Sequence, residues 1–370
     1  MKNRTYTAAV IGSGMIANEG HIPAFLAMGD RIRLQAVCGR NPETTERTAK
    51  RYGIPFVFAD AEQMLSVIRP DIVAVCTPNQ THAVYSEMAL EYGCHVICEK
   101  PVALDSRQVR GLYELAGQKN RYLVACQTQR FQPKWFQARK MVREGTLGEI
   151  ISARFDRIRS RGIPTWGGFH RKADSGGGAM ADIGVHMLDG LLWMLGNPKV
   201  ISVMGFTSDR IAKTTKDLCC DPTASGARSG VASGHAYDAD AFDVEEYASG
   251  ILRLETGVPV SFQAAWAANS PEKMSLEILG TRAGITIPEM CVHNGTSCCV
   301  QQPEKFPCLK EEWQNIPFAG HRYLLSHVLN VLDGVGELMI TPEETINVCT
   351  ALELFYRSAA EKREVFLSEL

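Results

Sequence analysis

Val10-Ile11-Gly12-Ser13-Gly14-Met15-Ile16-Ala17 is the stretch on which the reading of this chain turns. Thr7 to Ile11 is an apolar run that reads as a strand, and Ile16 to Met28 has the period of a helix. Between them lies Gly-x-Gly-x-x-Ala. Gly12 allows a tight turn, Gly14 lets the backbone approach a pyrophosphate, and Ala17 permits close packing of helix on sheet. A helix starting at Met15 and Ile16 presents free N–H groups and its positive dipole end to phosphate. Alone, such a glycine pattern is weak. Its specificity here comes from the strand before it and the helix after it.

Beyond this stretch the pattern continues as alternating short apolar runs and helical stretches. Strands are predicted at 34–38, 56–58, 72–76, 95–98 and 122–126, with helices at about 42–52, 82–92 and 106–119. Runs such as Ile72-Val73-Ala74-Val75-Cys76 suit a sheet covered on both faces. The fold class is therefore α/β, with an N-terminal Rossmann-type doubly wound parallel sheet over residues 1–127. Beyond it the punctuation changes. Strands expected at 149–158, 200–206, 246–254, 258–267, 275–278 and 284–287, with helices at about 133–144, 181–195 and 342–362, read as an α+β domain over 128–370 on a mostly antiparallel sheet. Thr214 to Asp240, rich in Ser, Gly, Ala and Asp, reads as a long surface excursion.

Composition narrows the function classes. A net charge of −2 over 370 residues gives no general attraction to nucleic acid or anionic membrane. No apolar run approaches the ~20 residues that span a bilayer, and the N-terminus lacks the apolar core of a secretion signal. A cytoplasmic protein with neither a nucleic-acid nor a membrane partner is expected. The twelve cysteines include no Cys-x-x-Cys pair and no Cys/His cluster at structural zinc spacing. They read as reduced, mostly buried thiols, and no metal is expected.

Three further stretches carry chemistry. Cys38-Gly39-Arg40-Asn41 ends the second strand with Gly39 where an acid would select an unphosphorylated ribose. Arg40 could stack on adenine, meet a 2′-phosphate or be a solvated loop charge. NAD and NADP both remain open. Glu99-Lys100-Pro101 ends the fifth strand, and strand C-termini face the ligand crevice of such sheets. Lys100 would stand beside a nicotinamide and hydrogen-bond the reacting hydroxyl; the bland alternative is a surface lysine. Gly176-Gly177-Gly178 leads to Asp182 and His186, four residues apart and on one helical face. A carboxylate beside an imidazole suits proton transfer near neutral pH, although a buried helix-start Asp and a core His would also fit.

In combination these stretches resemble the Gfo/Idh/MocA family, the oxidoreductases related to glucose-fructose oxidoreductase and inositol dehydrogenase. Cys76-Thr77-Pro78-Asn79-Gln80-Thr81-His82, Ile340-Thr341-Pro342-Glu343-Glu344 and Tyr356-Arg357-Ser358-Ala359 match as well, so the likeness covers nearly the whole chain. It implies a catalytic group of Lys100, Asp182 and His186, with His186 as general acid/base, Asp182 positioning substrate or His186, and Lys100 bridging hydroxyl and cofactor. It also implies that Thr77, Pro78, Asn79, His82 and Glu99 line the cofactor, and that the open sheet mediates a homo-oligomer, a dimer or tetramer. Gln127 and Arg130, just past the last Rossmann strand, are placed to approach the crevice.

The substrate is read from the segment 157–172. Trp166 could cover a sugar ring, and Arg157 or Lys172 could meet its hydroxyls, unless the segment is only a cationic surface loop. His235, Tyr237 and Asp243 could add contacts. Similar Trp-containing loops in sugar- and glycoside-oxidising relatives make the 3-hydroxyl of a glucoside the leading substrate. Two other classes compete: a glycosidase or lyase that retains its NAD and oxidises transiently, and a catalytically silent nucleotide sensor. The last has no need of Lys100, Asp182 and His186 together.

Overall fold

Strand β1 (Tyr6–Ile11) lies at the centre of a six-stranded sheet with β2 (Ile32–Cys38), β3 (Phe56–Phe58), β4 (Ile72–Val75), β5 (His95–Cys98) and β6 (Leu123–Ala125). All pairs are parallel and the order is β3-β2-β1-β4-β5-β6. The computed structural model describes residues 4–164, 168–214, 239–296, 299–300, 304–305, 316 and 318–370. Trp166, His235, Tyr237 and most of the 214–240 stretch therefore lie outside the described residues.

Every residue of β4 has 0% exposure, as a strand covered on both faces requires. The intervening helices begin where short polar side chains can cap them. Asn41, Asp60 and Asp105 each accept the backbone N–H three residues on, from Thr44, Gln63 and Gln108. Gly53, in the left-handed region, ends the first of these helices.

The turn after β1 departs from the continuous helix expected. Ala17–His21 winds as a π-helix, and Ile22–Leu26 follows as an α-helix. Pro23 has no N–H and its ring would crowd the carbonyl of Glu19 in a regular helix. The turn widens, and Ile22 N–H reaches back five residues to Ala17 O.

The same compact unit, which runs to Thr128, takes in a later segment ending at Thr345 that carries the helix Ala319–Leu332. Sequence reading passed over that helix, whose buried face is Leu324, Leu325, Val328 and Leu329.

The second unit is built on a ten-stranded sheet. Its central strands are β7 (Ile150–Ile158), β8 (Val200–Ser208), β9 (Tyr247–Leu254), β10 (Pro259–Ala265), β11 (Lys273–Gly280), β12 (Ala283–Ile287) and β13 (Cys291–Thr296), ordered β13-β12-β11-β7-β10-β9-β8. Only β7 and β10 pair in parallel among these. One face is apolar: Phe155 stacks on its register partner Phe262, and Phe355 from the helix Pro342–Glu361 meets Phe262 edge-on. The helix Val185–Met194 is buried along nearly its whole length. On the other face Ile251, Ser261, Arg154 and Glu277 form one register row across four strands and line a shallow depression. Among the described residues no helix is long and apolar enough to cross a membrane.

His95, at the start of β5, shows how burial is coupled to pH. Its Nδ1 accepts the N–H of Tyr122 at 3.0 Å, which requires the neutral ring. Burial first, then the nearby Arg121, lower its pKa from 6.5 to about 4. A base whose pKa is depressed on folding binds fewer protons in the native state, so its contribution is present above 6.5 and is lost as pH falls toward 4. Denaturant titrations between those limits should show falling stability, and His95→Gln, which keeps an acceptor, should flatten that fall. An identical slope in the variant would contradict the assignment.

Candidate active site

In the first unit the glycine turn is set by lack of room. Gly12 has φ +108°, its N–H donates to Cys38 O at 2.7 Å, and a Cβ there would lie 2.4 Å from Cys76 O. Only glycine meets both demands. Gly14 is different. A Cβ there would meet no atom within 4 Å among the described residues, and the open space suits the close passage of a pyrophosphate. Asn18, 2% exposed, fixes the turn by donating to the carbonyls of Ser13 and Gly14. At Gly39 a Cβ would lie 2.4 Å from Thr45 Oγ1 and 2.7 Å from Ser13 Oγ, so a larger residue at this strand end would have to displace those hydroxyls. Arg40 is exposed beside it, and Met15 and Ile16 are half-buried at the helix start.

At the other strand ends, Thr77 and Pro78 are half-buried and Asn79 is buried. His82 is 1% exposed, with Nε2 at 2.7 Å from Thr77 O and Nδ1 at 2.6 Å from Pro101 O. It ties the turn after β4 to the turn after β5, so its effect on a cofactor is through these turns and not by contact. Burial lowers its pKa. The Lys100–Pro101 bond is cis, and Lys100 is half-buried. Glu99 turns inward, where its Oε1 accepts from His21 at 2.9 Å and His321 at 3.1 Å. Those imidazoles hold its carboxyl well below the usual range despite burial. Gln127, 5% exposed past β6, buries an Oε1 that has no hydrogen-bond partner among the described residues. An open buried acceptor is costly, and it matches the amide donor of a nicotinamide carboxamide. The first unit therefore fits a dinucleotide at both ends, at Gly14 and at Gln127.

In the second unit the glycine loop is fastened by Glu245. Its carboxylate accepts the N–H groups of Gly178 and Met180 and the hydroxyl of Tyr356, each at 2.9 Å. Its carbonyl accepts from Ala179 at 3.0 Å, and Tyr356 Oη accepts from Ala181 at 3.1 Å. A Cβ on Gly178 would lie 1.9 Å from Glu245 O. Burial raises the Glu245 pKa against these hydrogen bonds.

The chain then makes a π-helical turn over Met180–Gly184 before the helix Val185–Met194, so Asp182 and His186 sit on successive turns across a junction of two helix types. Such widened turns are frequent at functional sites. Both side chains are half-buried. Asp182 Oδ2 accepts the indole N–H of the fully buried Trp266 at 2.9 Å. Arg157, half-buried, feels the Asp182 charge; burial and then Arg159 lower its pKa. Arg157, Asp182 and Trp266 are thus neighbours.

One expected substrate contact is placed otherwise. Arg130, 1% exposed, spends its guanidinium on Asp189, with Nε to Oδ2 at 3.0 Å and Nη2 to Oδ1 at 2.6 Å, over the ring of Trp193. A buried guanidinium needs such a partner, so Arg130 is a core residue and not a substrate contact. Lys172 has an exposed side chain, and its backbone N–H donates to Asp243. Asn18, Glu245 and Trp266 were missed in sequence, and Tyr356 was read only as part of a family-matching stretch. The adjacent acids Glu245-Glu246 before an apolar strand were the one legible signal.

A parallel sheet in this order, with Gly-x-Gly-x-x-Ala at its first turn, defines a dinucleotide-binding class. Residues 6–126 match the oxidoreductase family with an NAD-binding Rossmann fold, and residues 135–286 match the Gfo/Idh/MocA C-terminal domain. The chain belongs to the Gfo/Idh/MocA oxidoreductase family. It is 32% identical over 289 residues to D-glucoside 3-dehydrogenase of Escherichia coli, covering 78% of each chain. It is also 32% identical to a putative UDP-kanosamine synthase oxidoreductase subunit of Amycolatopsis mediterranei, over 73% of this chain and 71% of that one. A solved structure of GenD2 from gentamicin A biosynthesis, in complex with NAD, superposes with a TM-score of 0.76 at 25% identity, covering 98% of this chain and 97% of that one.

Two substitutions test this packing. Asp189→Ala should cost about 3–5 kcal/mol in denaturant unfolding, because it strands a buried guanidinium. A loss below about 1 kcal/mol would show Arg130 to be solvated. Gly178→Ala should destabilise by at least about 1–3 kcal/mol as the loop is forced off Glu245, and an unchanged melting temperature would contradict that close approach.

Proposed function

We propose that the protein is an NAD-dependent dehydrogenase of sugars or glycosides, and that it oxidises the 3-hydroxyl of a glucoside. The observation that carries this reading is the Asp182–His186 pair on one helix face, its carboxylate held by Trp266, in a chain resembling a glucoside 3-dehydrogenase. Bound NAD would supply the hydride acceptor. His186 takes the hydroxyl proton as C–H cleavage proceeds, and Asp182 keeps the imidazole or the sugar in register. Lys100, at the end of β5, is the proposed hydrogen-bond donor that offsets negative charge on a reacting hydroxyl oxygen. Arg157 is the donor for a neighbouring hydroxyl. Position 39 carries glycine and no acid, and Arg40 is exposed, so NADP is to be assayed beside NAD.

Lys100→Ala and His186→Ala should each lower turnover by about 10²-fold or more while dinucleotide binding, followed by calorimetric titration, persists. Full turnover in both folded variants would overturn the assignment. Trp266→Phe removes one hydrogen bond to a charged group, worth about 1.5–3 kcal/mol. It should reduce kcat by about tenfold or more with a smaller change in KM.

A further inference from the structure

We infer that His21, Glu99, Cys126 and His321 form a buried four-ligand site for a zinc-class divalent cation. All four belong to the first unit, and each comes from a different place in it. His21 closes the π-turn after the glycine motif, Glu99 follows β5, Cys126 follows β6, and His321 sits in the helix Ala319–Leu332. Their ligand atoms lie within 4.8 Å of one another, and the four residues are 4%, 6%, 1% and 7% exposed. No Cys/His spacing in the sequence announces the cluster, because the residues are brought together by the sheet and by a helix late in the chain.

Three of the six separations lie near the edges of a coordination tetrahedron, and all six are within 4.8 Å. Zinc bonds of about 2.0–2.1 Å to nitrogen or oxygen and about 2.3 Å to sulfur give edges of about 3.3 Å and about 3.6 Å. Here Glu99 Oε1 is 2.9 Å from His21 Nε2 and 3.1 Å from His321 Nε2, and Cys126 Sγ is 3.7 Å from His21 Nε2. Shifts on the order of 1 Å would close all four on one ion. The donor set is also balanced in charge. One carboxylate and one thiolate neutralise a divalent cation, leaving no net charge in a buried setting. Binding forms the Cys126 sulfur–metal bond and releases the thiol proton to solvent.

With four protein ligands there is no open position for water or substrate, so the site is structural and not catalytic. It would fasten the helix Ala319–Leu332 to the ends of β5 and β6, and hold the residue that precedes Lys100. Gly20 makes room for it, since a Cβ there would press on the His321 ring at 3.1 Å. The rival account is a hydrogen-bonded cluster in which both imidazoles donate to Glu99 and Cys126 is a bystander.

Cobalt separates the two and does not depend on the dehydrogenase reading. Chelator-treated full-length protein titrated with Co²⁺ should develop tetrahedral visible bands and a thiolate-to-cobalt charge-transfer band, both saturating at one equivalent. Cys126→Ser should lose the charge-transfer band, and His321→Gln should lose stoichiometric binding, with dinucleotide binding by both variants showing that they are folded. No charge-transfer band in the folded wild type would overturn the site. The same band persisting in Cys126→Ser would also overturn it, by placing the metal on another of the twelve cysteines.

Discussion

Between the carbonyls of Cys38 and Cys76 there is room for a backbone and no side chain, and Gly12 occupies that gap. The constraint fixes how β1 leaves the sheet. From it follow the position of Gly14, the direction of the helix that starts at Ala17, and the wide turn that brings His21 back over the strand ends. Asn18 and His82 then lock neighbouring turns by hydrogen bonds to backbone, so the loops that would meet a dinucleotide are held by the chain itself. Preorganisation of this kind means little ordering cost is left for the moment of binding.

The second unit solves a similar problem with a buried acid. A loop of three glycines has many conformations to lose. Glu245 removes them by collecting two backbone N–H groups and a tyrosine hydroxyl at one carboxylate. Trp266 does the same for the Asp182 carboxylate one turn later. Residues with no direct part in chemistry thus set the positions of those proposed to have one.

The strands of the first unit and its helices near 42–52, 82–92 and 106–119 were legible in sequence because a sheet buried on both faces writes itself as continuous apolar runs between helical stretches, whereas the helices Ala61–Ile68 and Ala319–Leu332 were not read. Lys100 was picked out by its place at the end of the fifth strand, and Asp182 and His186 by their four-residue spacing after three glycines. The widened turns were not, since they depend on Pro23 and on packing at Gly184, where a Cβ would strike Met180. Arg130 was read as a ligand contact, because a lone arginine past a strand does not reveal the Asp189 that neutralises it across the fold. Glu99 was expected at the cofactor, and its two histidine partners, 78 and 222 residues away in sequence, could not be foreseen from local pattern.

The central claim is that a hydride leaves the C3 carbon of a glucoside for a nicotinamide ring. The most direct measurement supplies a methyl glucoside deuterated at C3 with NAD, denatures the protein after turnover, and weighs the released nucleotide and the sugar by mass spectrometry. The expected products are NADH carrying one deuterium and a 3-keto glycoside lacking it. Nucleotide free of deuterium, with the sugar unchanged or oxidised at another carbon and still deuterated at C3, would contradict it.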